Sequence, residues 1–219
     1  MSQDVEAANG AGNGAVQVSA DEAMRRLVAG NERFLRGESR VTGMRRDVLA
    51  RLAKGQQPYA TILGCSDSRV VPELIFDAVL GELFVVRVAG NVLSPEVAGS
   101  LQYAGAHLQT PLFVVMGHEG CGAVQAALES GFKGVQHKSR IQLLVEGILP
   151  VLEHVDRHLS PELQLSQAVE ANVRWTVRQI RESPEGQARF AEGRMKMVGA
   201  IYELESGRVR FLGGPPDLA

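Results

Sequence analysis

The sequence predicts an α/β fold: a mostly parallel central β-sheet flanked by helices, with an N-terminal helical arm and a late edge hairpin. Three observations carry this reading. Short, nearly continuous apolar runs at residues 59–64, 83–88 and 112–116 have the pattern of strands buried on both faces. Stretches with helical spacing separate them, the alternation that builds βαβ units. Two later apolar runs, residues 197–202 and 207–212, are joined by a Ser-Gly turn and suit an antiparallel extension along one edge.

The elements follow in order. Residues 1–18 are rich in Ala, Gly and Asn, lack periodicity and are expected to form a mobile tail. Residues 19–219 read as a single domain, because no linker-like run of Gly, Pro and Ser divides them. Ser19 or Asp21 can cap a helix through about Arg36, with Met24, Leu27, Val28 and Leu35 on its apolar stripe. Residues 45–54 form a second short helix ended by Gly55, and Pro58 precedes the first strand. Helical stretches are expected at 72–79, at 99–108 with Leu101, Ala104 and Leu108 on one face, and from Cys121 through Leu128. A longer helical pattern over 139–158 is broken at Pro150, and another spans 165–181.

Composition narrows the function classes. Hydrophobic residues make up 45%, too many for wholesale disorder. The 23 basic and 25 acidic residues leave a net charge of −2, which gives no reason to expect a nucleic-acid or membrane-surface partner. The first ten residues are polar and acidic without an apolar signal region, and no run reaches the roughly 18–20 apolar residues of a membrane span. A soluble, cytoplasmic protein is the expectation.

Two segments carry the chemistry. Gly64-Cys-Ser-Asp-Ser-Arg-Val70 follows directly on the first apolar run, and Gly117-His-Glu-Gly-Cys-Gly122 follows the third in the same way. Each therefore occupies the carboxyl end of an expected parallel strand, where open α/β sheets place their ligands. The two cysteines, Cys65 and Cys121, are compatible on count alone with one disulfide, with inert packing or with a metal site. Their placement favours metal, since two thiolates and the imidazole of His118 suit zinc and leave a fourth tetrahedral position.

Cys65-Ser-Asp67-Ser-Arg69-Val together with His118-x-x-Cys121-Gly-Ala resembles the double signature of the β-class carbonic anhydrases. Leu27-Val-Ala-Gly-Asn-Glu-Arg-Phe34, Gly81-Glu-Leu-Phe-Val-Val-Arg-Val-Ala-Gly-Asn91, Gly99-Ser-Leu-Gln-Tyr-Ala104 and Val198-Gly-Ala-Ile-Tyr202 extend the likeness in order, from about Asp21 to Leu212.

That resemblance implies a Zn²⁺ enzyme for the reversible hydration of carbon dioxide to bicarbonate and a proton. Cys65, His118 and Cys121 would be the permanent ligands, with water or hydroxide in the fourth position. Asp67, held by Arg69, would accept a hydrogen bond from that nucleophile. Some members of the family release this pair at low pH and let the aspartate close the metal site. Their bicarbonate pocket carries a tryptophan three residues before the first cysteine; here that position is Ile62, and the sole tryptophan is Trp175. The open type is therefore expected, with Asp67 a metal ligand only in a closed state. In that type Gln56 of Gln56-Gln57-Pro58 would donate to a substrate oxygen, and Phe84 and Tyr103 would line an apolar cleft. Arg87 reads as structural or as an interface residue, Glu119 receives no mechanistic part, and His107, His137, His154 and His158 read as surface or packing residues. The resemblance also implies a homodimer or dimer of dimers, with the N-terminal helix wrapping the partner and the cleft at the subunit boundary.

Two alternatives stand beside this. A hydrolase of carbonyl sulfide or carbon disulfide would use the same fold and metal set, and a non-catalytic zinc-stabilised assembly protein would need the metal but neither Asp67, Arg69 nor Gln56.

Overall fold

The computed structural model of the chain describes residues 18–40, 46–193 and 195–213. The expected tail over 1–18 lies outside the described residues except for Val18, as does Arg45 at the expected start of the second helix. Helix α1 spans Ala20–Arg36. Ser19 caps it, its Oγ accepting from Glu22 N at 3.1 Å, and Gly37 ends it in the left-handed conformation at φ 69°.

The sheet is built from β1 (Ala60–Gly64), β2 (Leu83–Arg87), β3 (Leu112–His118), β4 (Lys196–Tyr202) and β5 (Val209–Leu212), in the spatial order β2-β1-β3-β4-β5. β2, β1, β3 and β4 run parallel, and β5 alone is antiparallel, against β4. The late hairpin thus continues the parallel sheet through its first strand. The connection from β3 to β4 carries enough helix to return the chain to the starting end of the sheet, which parallel pairing requires.

The remaining helices are α2 (Arg46–Leu52), α3 (Pro72–Ile75), α4 (Pro95–Ala106), α5 (Gly122–Lys133), α6 (Ser139–Ile148), α7 (Pro161–Glu182) and α8 (Pro184–Ala191). α3 is one turn, shorter than the expected 72–79, because Asp77 adopts φ 44° and turns the chain away. α6 passes into a 3₁₀ turn over Leu149–His154, since Pro150 has no N–H to donate to the α-helical ladder. α8 was not expected from the apolar pattern; Ser183 starts it, its Oγ accepting from Gly186 N at 3.0 Å.

Strict alternation divides the continuous apolar runs between two layers. Ile62, Leu112, Val114 and Met116 pack with Leu27 of α1 and with Ile75 and Phe76. Leu63, Phe113 and Val115 face the opposite way, toward Val124 of α5, Ile148 of α6 and Val173 of α7. Buried on both faces, β1 and β3 are held rigidly where they deliver residues to the site. Gly117 permits a close approach: a Cβ there would lie 2.6 Å from Val173 Cγ2, so α7 presses on β3 immediately before His118.

α1 is tied to the sheet by a buried carboxylate. Asp77, 1% exposed, accepts from Arg33 Nε at 2.6 Å, Arg40 N at 2.7 Å and Ser39 Oγ at 3.0 Å. Burial alone would raise its pKa, but these donors, Arg33 first, hold it below the usual carboxylate value. The depressed pKa contributes stability above about pH 4 that is lost as pH falls through the folded value. Asp77→Ala strands two arginines in a partly buried setting and is expected to cost about 3 kcal/mol in urea unfolding at pH 7. A loss within error of zero would show that solvent screens the cluster.

Candidate metal centre

β1 and β3 are neighbours with Gly64 opposite Met116, so their carboxyl ends lie side by side. Cys65 is the first residue beyond β1, and His118 is the last residue of β3. Gly120 turns the chain at φ 60°, which brings Cys121 to the N-cap of α5. The ligand atoms of Cys65, His118 and Cys121 lie within 4.8 Å of one another, and all three residues are buried.

The polarity of the cluster fits a cation. His118 Nδ1 lies 2.8 Å from the Glu119 carbonyl oxygen. A carbonyl only accepts, so the proton resides on Nδ1 and the lone pair on Nε2. That Nε2 is buried and has no hydrogen-bond partner, a costly state unless something accepts the lone pair. The Cys65 pKa is lowered, first by its hydrogen bond with Cys121 and despite burial, with His118 and the backbone N–H groups of Gly90 and Asp67 adding to the effect. The same hydrogen bond and burial raise that of Cys121. Burial acts to lower the His118 pKa, but the adjacent Cys65 sulfur and its charge outweigh it and raise the value. One thiolate is thus already favoured, and a bound zinc ion stabilises the second. Two sulfurs and one imidazole nitrogen are the donor set of a zinc site with one position left open.

Beside the cluster, Arg69 grips Asp67 through both carboxylate oxygens: Nε to Oδ1 at 2.9 Å and Nη2 to Oδ2 at 2.7 Å, with the Arg69 backbone N–H also on Oδ1 at 3.0 Å. This grip, above all the side-chain hydrogen bond, holds the Asp67 carboxyl well below the usual carboxylate range. Asp67 Oδ2 stands 3.9 Å from His118 Nε2.

Two neighbours do more than the sequence implied. Arg87, expected to be structural or at an interface, donates to the Cys65 carbonyl at 3.1 Å and the Asp67 carbonyl at 2.7 Å, bracing the loop that carries both. Glu119 ties the His118 loop to the end of β4, its N–H donating to Tyr202 O at 3.0 Å and its Oε2 accepting from Leu204 N at 3.1 Å.

Gln56, Phe84 and Tyr103 are placed elsewhere. Phe84 pairs with Thr61, four residues before Cys65 on the neighbouring strand. At about 3.3 Å per residue it stands about 13 Å back along the sheet from the ligand end. Its ring meets Tyr103 of α4 at a centroid distance of 6.2 Å, and Tyr103 also stacks with His107 at 4.9 Å. Gln56 is exposed and precedes the amino end of β1. Within one chain these three residues do not join the metal cluster. His107, His154 and His158 are exposed and His137 is half-buried, its Nε2 3.2 Å from the Ala126 carbonyl.

Comparison with known proteins agrees with this geometry. The family model described as carbonic anhydrase matches residues 60–209, from β1 into β5. Carbonic anhydrase 2 of Mycobacterium tuberculosis is 40% identical over 198 residues, which cover 85% of this chain and 89% of that protein. The solved structure of the β-carbonic anhydrase CcaA superposes with a TM-score of 0.69 at 28% identity, covering 86% of this chain and 94% of that one. One of two tetrameric β-carbonic anhydrases from Sordaria macrospora gives a TM-score of 0.69 at 26% identity, covering 76% and 86%. Ligand cluster, strand order and matched segment agree, and the chain belongs to the β-carbonic anhydrase family.

Proposed function

We propose that this chain hydrates carbon dioxide reversibly to bicarbonate and a proton, with Zn²⁺ held by Cys65, His118 and Cys121 and with Asp67 as the acceptor that orients the nucleophile. One observation carries the reading: the buried Cys65–His118–Cys121 cluster, with its unpartnered Nε2, in a chain of this family. Zinc bound there supplies a Lewis acid that lowers the pKa of water from about 15.7 to about 7, so that a nucleophile is available at neutral pH.

The chain's own residues do the rest. His118 presents its lone pair because Glu119 occupies the other ring nitrogen. Asp67, ionised throughout the neutral range, accepts a hydrogen bond from the attacking oxygen and so points a lone pair at the carbon of the substrate. Arg69 holds both oxygens of Asp67 and would keep the carboxylate off a zinc ion bound at the cluster, which supports the open type. The other histidines stand outside the ligand cluster, and the released proton passes to solvent buffer.

Gln56, Phe84 and Tyr103 take their substrate-facing roles in a cleft completed by a second copy. Their distance from the ligand end in one chain supports this, as does the position of β2 at the sheet edge with Leu80 and Tyr103 exposed close by. A homodimer, or a dimer of dimers, is the assembly that follows. Among the described residues no helix is long and apolar enough to cross a membrane. A cytoplasmic location and a single domain over residues 19–219 belong to the same proposal.

Zinc content and stopped-flow hydration across about pH 6.5–9 test the activity. Stoichiometric zinc with hydration at neutral pH is expected. Full zinc without turnover at any pH in that window would leave a non-catalytic zinc protein, and faster turnover of carbonyl sulfide would reassign the substrate. Abrupt loss of activity below about pH 8, with zinc retained, would identify the closed type instead.

A further inference from the structure

We infer that Asn172, assisted by Thr176, is a positioning residue for the metal centre: it fixes the Gly90–Asn91 turn so that the Gly90 N–H points at the Cys65 sulfur. The inference rests on Cys65 being a metal ligand.

The connection is a relay of single hydrogen bonds. Gly90 N donates to Cys65 Sγ at 3.4 Å. The carbonyl of the same Gly90 accepts from Asn172 Nδ2 at 2.8 Å, and the next carbonyl, Asn91 O, accepts from Thr176 Oγ1 at 3.3 Å. Asn172 and Thr176 are four apart on α7, hence on one face, and each is 1% exposed. They hold two consecutive peptide groups from one rigid helix.

The turn needs holding. Gly90 and Asn91 both have positive φ, 68° and 45°, and Asn91 is not a glycine. Gly90 is also enclosed: a Cβ there would lie 2.8 Å from Ile148 Cδ1 and 3.0 Å from Ala123 Cβ. Backbone of this kind persists where its surroundings over-determine it.

Asn172 is a poor choice for packing alone. Its Oδ1 is buried without a hydrogen-bond partner, and so is Asn91 Nδ2. An apolar residue of similar size would avoid one of these penalties, but it would leave the Gly90 carbonyl unpaired and the turn free to relax. What the asparagine secures is the direction of a peptide dipole toward a sulfur. An N–H aimed at a thiolate withdraws electron density from it and orients its lone pairs, so it sets how the sulfur shares charge with a metal.

The test uses the purified protein with cobalt(II) in place of zinc. Co²⁺ binding to the wild type with a thiolate-to-metal charge-transfer band checks the ligand reading by itself. Asn172→Leu is then expected to move that band to lower energy and to raise the zinc dissociation constant about tenfold in a chelator competition. Ile180→Ala, a core truncation two turns further along α7, should lower stability yet leave the band where it is. If Asn172→Leu does not fold, Thr176→Val decides the question with a smaller shift of the same sign. A band and a zinc affinity equal to wild type in the folded variant, or a shift in Ile180→Ala as large as in Asn172→Leu, would overturn the inference.

Discussion

His118→Ala is expected to abolish both zinc retention and carbon dioxide hydration. The imidazole is fully buried, its Nε2 has no partner besides the cluster, and its Nδ1 is committed to the Glu119 carbonyl. Alanine removes one of three ligand atoms and leaves two thiols that favour a single shared negative charge between them. Loss of the Lewis acid removes several kcal/mol of transition-state stabilisation, a fall of about a thousandfold or more in kcat/KM. Metal analysis after dialysis, stopped-flow hydration and far-UV circular dichroism together check this. The fold should survive, because β3 is held by paired strands on both sides. A variant that kept one zinc per chain and its activity would remove His118 from the ligand set.

The second large effect concerns the acid–arginine pair. Asp67→Asn should lower kcat about a hundredfold with zinc retained, since the amide still fills the space but carries no charge to orient the nucleophile. Arg69→Ala should be at least as damaging for a different reason. It removes both side-chain donors and frees Oδ2, already 3.9 Å from His118 Nε2, while the backbone N–H stays on Oδ1, and so would let Asp67 compete for the fourth metal position. The double variant Asp67→Asn with Arg69→Ala should be no slower than the worse single one, because the two residues act as a unit. Rates that multiply instead would mean that they act independently. The sign of the pH dependence is also determined. With its pKa held below the ordinary carboxylate range, Asp67 stays ionised from neutral pH upward, so its protonation does not limit the wild type there.

Much of the framework was legible because its signals are local. Apolar runs that end at Gly64 and at Met116–Gly117 mark strands buried on both faces, and the residues just beyond such strands fall at one end of a parallel sheet. Cys65, His118 and Cys121 can therefore be grouped from the sequence alone. The misreadings also have local causes. α8 has an exposed, polar sequence with no apolar stripe to betray it, and the helix after Pro72 was cut short by a buried ion-pair cluster formed with α1, an element far away in the chain. Asn172 gave no signal at all. Its partner, Gly90, is 82 residues distant, and a lone asparagine on a helix is ordinarily a solvated one.

By itself, then, the sequence determined the class of fold, the ligand set and the neighbourhood of Asp67 and Arg69. The fold class and the grouping of the ligands depend on residue type and on position relative to the nearest strand end, while the zinc reading and the parts given to Asp67 and Arg69 came from the resemblance to the family. Only the tertiary structure decided which groups hold the ligands in place: Arg87 on the Cys65 loop, Glu119 on β4, and Asn172 on the Gly90 turn. Only it separated Gln56, Phe84 and Tyr103 from the cluster, by about 13 Å of strand in the case of Phe84. The reason is physical. Hydrogen bonds that orient a metal ligand act over about 3 Å, between residues that the chain brings together only after the sheet and α7 have packed.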